Sequence, residues 1–277
     1  MRKLSFGAGK RATWMVALAV VGVAAAEVGA TPVVNSAVIN ARIFNDFPGS
    51  TLGFTDTYPA MISISDNNTS TPPPPGFANL HNWQFSENDF TSAVFNNGDF
   101  FSYSADLTIS GTGTAEAGLL VAPWFSQNVD GRLNVRIPDG EVAAFGGRLP
   151  FFSFTSSFGI HYAAGDTIGL GITYDPHSLS MADPGTIRYT VDYNGTHYSS
   201  PVIPFDEGNP NEDPPYGLWG ILNDARVGGH YQAFNGTAGS TTATWTNISF
   251  SAEPPVPEPS SSMLMLLGGA LLARRRR

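Results

Sequence analysis

Six oxygen-bearing side chains crowd one short stretch, FDEGNPNED: Asp206, Glu207, Asn209, Asn211, Glu212 and Asp213. Carboxylates and amides without nitrogen or sulfur donors are the chemistry of Ca²⁺, a hard cation that takes oxygen ligands from flexible loops. The spacing is not that of an EF-hand. Asp206, Glu207 and Asp213 are the candidate ligands, and a solvated acidic loop accounts for the same residues. The five histidines, His81, His161, His177, His197 and His230, show no zinc-ligand spacing. His177 sits in YDPHS, a turn sequence. Trp83, Trp124, Tyr216, Trp219 and Tyr231 lie in or near expected turns, and Trp124, Tyr216 and Trp219 are the candidate glycan platform. Exposed rings stack on sugar faces; burial in a β core is the competing account. Nucleophile-elbow, zincin, P-loop and dinucleotide-binding motifs are all absent from the sequence. There is no cysteine, which excludes thiol chemistry and disulfides.

These residues need a scaffold, and the sequence points to strands. Short runs rich in Val, Ile, Phe, Tyr and Thr are cut by Gly, Pro, Asn and Asp. In GTIRYTVDYNGTHYSSPV, Ile187, Tyr189, Val191 and Tyr193 alternate with Arg188, Thr190 and Asp192, and Asn194-Gly195 suits a type I′ turn. Further strands are expected over 36–44, 60–65, 77–85, 99–110, 115–123, 132–138, 141–146, 149–157, 166–175, 216–222, 228–234 and 241–251. Many short strands at regular spacing predict an all-β sandwich or barrel. The stretches 65–76 and 204–217, rich in proline, read as surface loops. The composition does not shift across them, so 31–252 reads as one sandwich domain; two immunoglobulin-like sandwiches are the alternative.

The termini read differently. MRKLSFGAGKRATWMVALAVVGVAAAEVGATP has a basic start, an apolar run from Trp14 to Ala26 and a small-residue site ending at Ala30 before Thr31. That is the anatomy of a signal peptide over 1–30, exported through the Sec translocon. A retained anchor is the other reading, disfavoured by the short apolar run. Between the termini stand six arginines, no lysine and twenty carboxylates, a net charge near −14. Nothing there would neutralise phosphates, so nucleic acid is excluded as a partner.

The chain ends VPEPSSSMLMLLGGALLARRRR. The run from Met263 to Ala273 makes a helix of roughly 16 Å at about 1.5 Å per residue, against a hydrocarbon core about 30 Å thick. Residues 253–259 form a proline-rich linker, and 260–277 hold the apolar segment and the basic end. Val256-Pro257-Glu258-Pro259, an apolar run and Arg274, Arg275, Arg276 and Arg277, in that order, resemble the PEP-CTERM sorting signal. The resemblance implies an exosortase-type membrane peptidase as partner and cleavage near the Val-Pro-Glu-Pro motif. It implies transient anchoring in the inner membrane, then release to the cell surface or matrix. The arginines would stay cytoplasmic and let a short run stall in the bilayer. An uncleaved weak anchor is the alternative.

The segments FSYSADLTIS, EAGLLVAP, DTIGLGITYD, GTIRYTVDYNG and ATWTNISFS resemble concanavalin A-like and laminin G-like jelly rolls. The expected fold is an antiparallel jelly-roll β-sandwich, flanked by an N-terminal signal helix and a short C-terminal apolar helix. Laminarinase-type hydrolases of this class carry Glu-x-Asp-x-x-Glu on one strand. Here SENDFTSA supplies Glu87 and Asp89, but Ser92 stands where the last glutamate would be. Two positions apart on a strand is about 7 Å, wider than the roughly 5–5.5 Å of a retaining pair. The expected function is a surface or matrix protein, non-enzymatic, that binds extracellular polysaccharide or plays a structural role. A divergent glycoside hydrolase or polysaccharide lyase is the alternative.

Overall fold

Alternation of apolar and hydroxyl side chains builds one of the two sheets almost residue by residue. In FSYSADLTISG the apolar Phe101, Tyr103, Ala105, Leu107 and Ile109 are buried while Ser102, Ser104, Asp106, Thr108 and Ser110 reach the surface. A period of two places one set on each face of a strand. The computed structural model describes residues 31–68, 77–205, 219–221, 223–234 and 239–252. Residues 1–30 and 253–277, with Ala30, the Val256–Pro259 motif and Arg274–Arg277, lie outside them.

In chain order the strands are β1 (Ser36–Asn45), β2 (Thr51–Asp56), β3 (Met61–Asn68), β4 (Ala78–Ser86) and β5 (Phe101–Gly111). Then come β6 (Thr114–Ala122), β7 (Arg132–Arg136), β8 (Val142–Phe145), β9 (Phe152–Ser153) and β10 (Thr167–Asp175). The series closes with β11 (Thr186–Tyr193), β12 (Thr196–Ser199), β13 (Ile203–Pro204), β14 (Arg226–Phe234) and β15 (Gly239–Ser251). Among the described residues one α-helix, α1 (Phe154–Phe158), interrupts them. The first sheet runs β1-β4-β14-β6-β7-β8-β9 and the second β12-β11-β10-β5-β15-β3-β2, with β13 beside β11. Adjacent strands are antiparallel. Two such sheets packed face to face form the expected β-sandwich, with jelly-roll-like strand order.

The sheets meet over one apolar core. Trp83 packs edge-on against Trp245 at 6.0 Å and Phe85 at 5.3 Å, and Phe85 meets Tyr103 at 5.4 Å. Several polar atoms inside this core are paired across the sheets, whereas Trp83 Nε1 and Asp66 Oδ1 have no partner among the described residues. Tyr103 donates to the Leu120 carbonyl at 2.8 Å, Trp245 to Gly118 at 3.2 Å and Tyr231 to Thr241 at 3.0 Å. At one end Asp66 Oδ2 accepts from Asn79 at 2.7 Å and from His81 Nε2 at 3.0 Å. His81 Nδ1 accepts the Arg42 backbone N–H at 2.9 Å, so Nε2 carries the ring proton. Burial opposes ionisation of Asp66, yet the hydrogen bonds from His81, Asn79 and Ser50 hold its carboxyl below the usual value. Both nitrogens of this fully buried imidazole are occupied, and the pair serves as a cross-sheet link.

Close strand approach explains one glycine. A Cβ on Gly229 would lie 2.3 Å from Trp83 Nε1 and 2.6 Å from its Cε2. Trp83 is wedged by Phe85 and Trp245 and has nowhere to go. Gly229→Ala is expected to lower stability by about 1–3 kcal/mol through overpacking. Gly98→Ala, with open space around the added carbon, is expected to change it by less than about 0.5 kcal/mol. Urea unfolding of both variants checks the pair.

The hairpin turn is as expected: Asn194 has φ 52° and Gly195 φ 75°, the left-handed pair of a type I′ turn. Four expectations need correction. Of the strand expected over 149–157, only Phe152–Ser153 pairs, and α1 follows. Ser153 caps α1 by accepting from the Ser156 N–H at 3.0 Å, and Gly159, at φ 70°, closes it. The strand expected over 216–222 does not form at 219–221, where Trp219 has φ 52° and the chain bends. Ser65–Asn68, read as loop, extend β3 opposite Thr241, Thr242, Ser240 and Gly239. Strand β2, not among the expected strands, pairs with β3 at the sheet edge.

Candidate functional site

The outward face of the seven-stranded sheet holds an unusual quantity of polar side chains. The inward residues Trp83, Tyr231, Ala117 and Val135 belong to the core. Between them Asn82, His230, Gly118 and Asn134 stand in one outward cross-strand row. Gln232, Glu116 and Arg136 form the next row, and Gln84, Gly228, Leu120 and Arg132 the row on the other side. Because Gly118 has no side chain, His230 and Asn134 meet above it, Nε2 to Oδ1 at 2.8 Å.

These groups form a directed chain. Arg132 donates to Glu116 Oε1 at 2.8 Å, and Asn134 donates to Glu116 Oε2 at 3.0 Å. The amide oxygen of Asn134 therefore accepts, and His230 Nε2 donates. His230 Nδ1 is buried with no partner among the described residues. Burial, reinforced by the nearby Arg132 charge, pushes the His230 pKa well below the usual histidine value, so the ring is neutral. Burial also lowers the Arg132 pKa, opposed by Glu116 and Asp130.

A cover lies over one end of this layer. The segment after β6 forms a 3₁₀ turn, Trp124–Ser126, and runs on to Asp130. Asn82 donates to the Asn128 carbonyl at 3.2 Å, and Gln84 to the Gln127 carbonyl at 2.8 Å. Arg132 Nε ties the segment down through the Val129 carbonyl at 2.7 Å. His230, Asn82 and Asn134 are consequently shut from solvent.

Beyond the cover the face opens into a cleft of about 410 Å³, within the roughly 300–1,000 Å³ of small-ligand sites. Glu116, Asp130, Arg132, Arg136 and Gln232 supply its polar groups, and Phe44, Phe77, Phe145 and Phe234 its rings. Phe77 and Phe44 are 65% and 44% exposed, and Phe77 packs edge-on against Phe234 at 5.5 Å. Rings beside a dense set of donors and acceptors can hold the apolar and hydroxyl faces of a sugar together.

The residues singled out from sequence fall elsewhere. Glu87 and Asp89 are exposed in the bend after β4, with Asp89 at φ 66°. They do not lie on one strand face as the hydrolase pattern requires, because Ser86 bridges back to Ser92 and the chain turns between them. Trp124 is 44% exposed on the covering segment, and Trp219 is half-buried where its carbonyl accepts from Gly185 at 2.6 Å. Neither lines the cleft. Tyr216 and the acidic stretch with Asp206, Glu207 and Asp213 lie outside the described residues. Among the described residues no three acidic or histidine side chains are grouped to hold a metal ion. No helix among them is long and apolar enough to cross a membrane. The cleft phenylalanines and the Arg132–Glu116–Asn134 chain were missed from sequence; the alternation in TAEAGLLVA and RLNVR, with charged residues at outward positions, was the available signal.

Residues 255–277 match the family model of the PEP-CTERM protein-sorting motif. No curated protein matches the chain. Among solved structures it is similar to a family 7 alginate lyase, A1-II′, in complex with substrate, at 15% identity and TM-score 0.42 over 74% of this chain and 83% of that one. It is also similar to an alginate lyase from Alteromonas sp. 272, at 10% identity and TM-score 0.39 over 78% of this chain and 100% of that one. A sialidase is similar at 13% identity and TM-score 0.37, over 79% of this chain and 19% of the other. Likenesses at this level say nothing about what this chain binds or does.

Proposed function

We propose that this protein, exported and sorted through its PEP-CTERM tail and processed by an exosortase, carries a β-sandwich that binds extracellular polysaccharide. The reading is non-enzymatic, and the cell surface or matrix is its place of action. One observation carries it: the cleft on the seven-stranded sheet sets exposed Phe77 and Phe44 beside Gln232, Arg136, Glu116 and Asp130. Exclusion of nucleic acid by charge and the missing catalytic motifs point the same way. The acidic stretch with Asp206, Glu207 and Asp213 is assigned a calcium-dependent contribution. Binding of residues 31–252 to a panel of polysaccharides, with calcium and then with chelator, tests both parts.

Phe77→Ala is expected to weaken binding about fivefold to fiftyfold, as loss of one well-placed ring commonly does at about 1–2 kcal/mol. The Phe90→Ala variant, changing a ring that is 85% exposed and outside the cleft, should bind like the parent. Equal affinities for both variants and the parent would reject the cleft as the binding site.

A second reading, a polysaccharide lyase, is favoured by the neutral His230 imidazole with its unpartnered Nδ1. Elimination next to a carboxyl group requires a base with an available lone pair, and burial, by lowering the His230 pKa, weakens it as that base while the cover is closed. It also requires the covering segment to lift, since His230 is shut from solvent. Appearance of an unsaturated sugar end during incubation, lost in His230→Gln, would establish this reading over the non-enzymatic one.

A further inference from the structure

The cleft contains two arginines, and a guanidinium pair is ordinarily taken as equipment for anions. Here both are already paired with carboxylates. Arg132 holds Glu116 at 2.8 Å through Nη1, which also meets Gln232 at 3.1 Å, and its Nε donates to the Val129 carbonyl at 2.7 Å. Arg136 lies 3.7 Å from Glu116, 3.4 Å from Asp139 and 3.4 Å from Glu141. Asp130, exposed on the cleft wall, adds a fourth carboxylate and accepts from Ser126 at 2.7 Å. Two guanidinium charges thus face four carboxylates. Asp139 and Glu141 are 51% and 40% exposed in their side chains and stand beside Arg136, which lines the cleft. The body around the cleft, near −14 with no lysine, adds long-range repulsion of anions.

We infer that the polysaccharide taken by this cleft is an amino-sugar polymer bearing protonated amines, and that polyuronates are rejected. The inference rests on the glycan-binding reading and names the ligand class of the same site. An ammonium group gains from Asp130 on the cleft wall and, at longer range, from Asp139 and Glu141 beside Arg136, while the exposed faces of Phe77 and Phe44 add cation–π attraction and stack the sugar ring. A uronate would meet carboxylates that outnumber the two guanidinium groups, both of which are already ion-paired.

The experiment uses the full 31–252 body and three soluble probes: a glucosamine oligomer, its fully N-acetylated form and a polyuronate oligomer of similar length. Tight binding of the glucosamine oligomer alone, weakening as salt rises from low to physiological strength, is expected. Arg136→Gln supplies the sign. It unmasks Asp139 and Glu141, so affinity for the glucosamine oligomer should rise about twofold to tenfold, while Asp130→Asn should lower it by a similar factor. A cleft built for anions would lose affinity for polyuronate in Arg136→Gln, and that result overturns the inference. Preference for the polyuronate or the acetylated oligomer also overturns it but leaves the glycan-binding reading standing. Binding of none of the probes, with Arg136→Gln and Asp130→Asn folded as judged by thermal unfolding, overturns both.

Discussion

Glu116→Ala is expected to lower the stability of the sandwich by about 3–5 kcal/mol, because it leaves a buried guanidinium without its counter-charge. Glu116 is 6% exposed and Arg132 8%. In the parent, the two carboxylate oxygens divide the work: Oε1 accepts from Arg132 and Oε2 from Asn134. After truncation Arg132 keeps only neutral acceptors, the Val129 carbonyl and Gln232. Asn134 loses its acceptor as well, which frees His230 from its fixed orientation. For a body of this size the loss corresponds to a fall of roughly 6–20 °C in Tm. Glu116→Gln retains the shape and one acceptor oxygen and should lose less. Denaturant unfolding of the two variants checks the order. An alanine variant within about 1 kcal/mol of the parent would mean that Arg132 is solvated, contrary to the buried pair described above.

Acidification through the range below neutrality should destabilise the protein through His230. His230 is neutral in the folded state because burial, and then the Arg132 charge, push its pKa well below 6.5. In the unfolded chain the same ring titrates near its ordinary value. Between the two values the unfolded state binds the extra proton, so stability is complete above about pH 6.5 and is lost as pH falls toward the folded value. The slope is about 1.4 kcal/mol per pH unit for one group. His230→Gln removes this term: the variant starts less stable at pH 7.5 but should lose less on going to pH 5. Asp66 acts in a lower window, since its depressed carboxyl pKa makes its contribution fade only as pH drops below about 3.8. Tm measured from pH 7.5 to 5 in parent and His230→Gln separates the two groups; parallel curves would reject the assignment to His230.

Local pattern made most of the architecture legible. In β5 and β11 the alternation of apolar with Ser, Thr and Asp fits a half-buried strand and not a helix, and both strands form where expected. Asn194-Gly195 needs positive φ at both positions and turns there. The failures occur where local preference was outvoted. Phe154–Phe158 carries two phenylalanines and Thr155, which favour strands, but a capping serine on one side and a left-handed glycine on the other make a helix. Trp219 likewise leaves the extended conformation, and its carbonyl takes the Gly185 N–H.

The candidate site shows a sharper division. The tail is legible without any coordinates, because sorting depends on a linear order of motif, apolar run and basic end, and the family match covers those residues. The alternating β face is equally a property of consecutive residues. Which strands lie side by side is not: β4, β6 and β14 are distant in the chain yet adjacent in the sheet. That adjacency brings Asn82, Glu116, Arg132, Asn134 and His230 together, and it leaves Glu87 and Asp89 in a solvated bend. Short-range pattern governs the conformation of each strand, whereas a cleft is made by pairing across long sequence separations, which no neighbouring residue encodes.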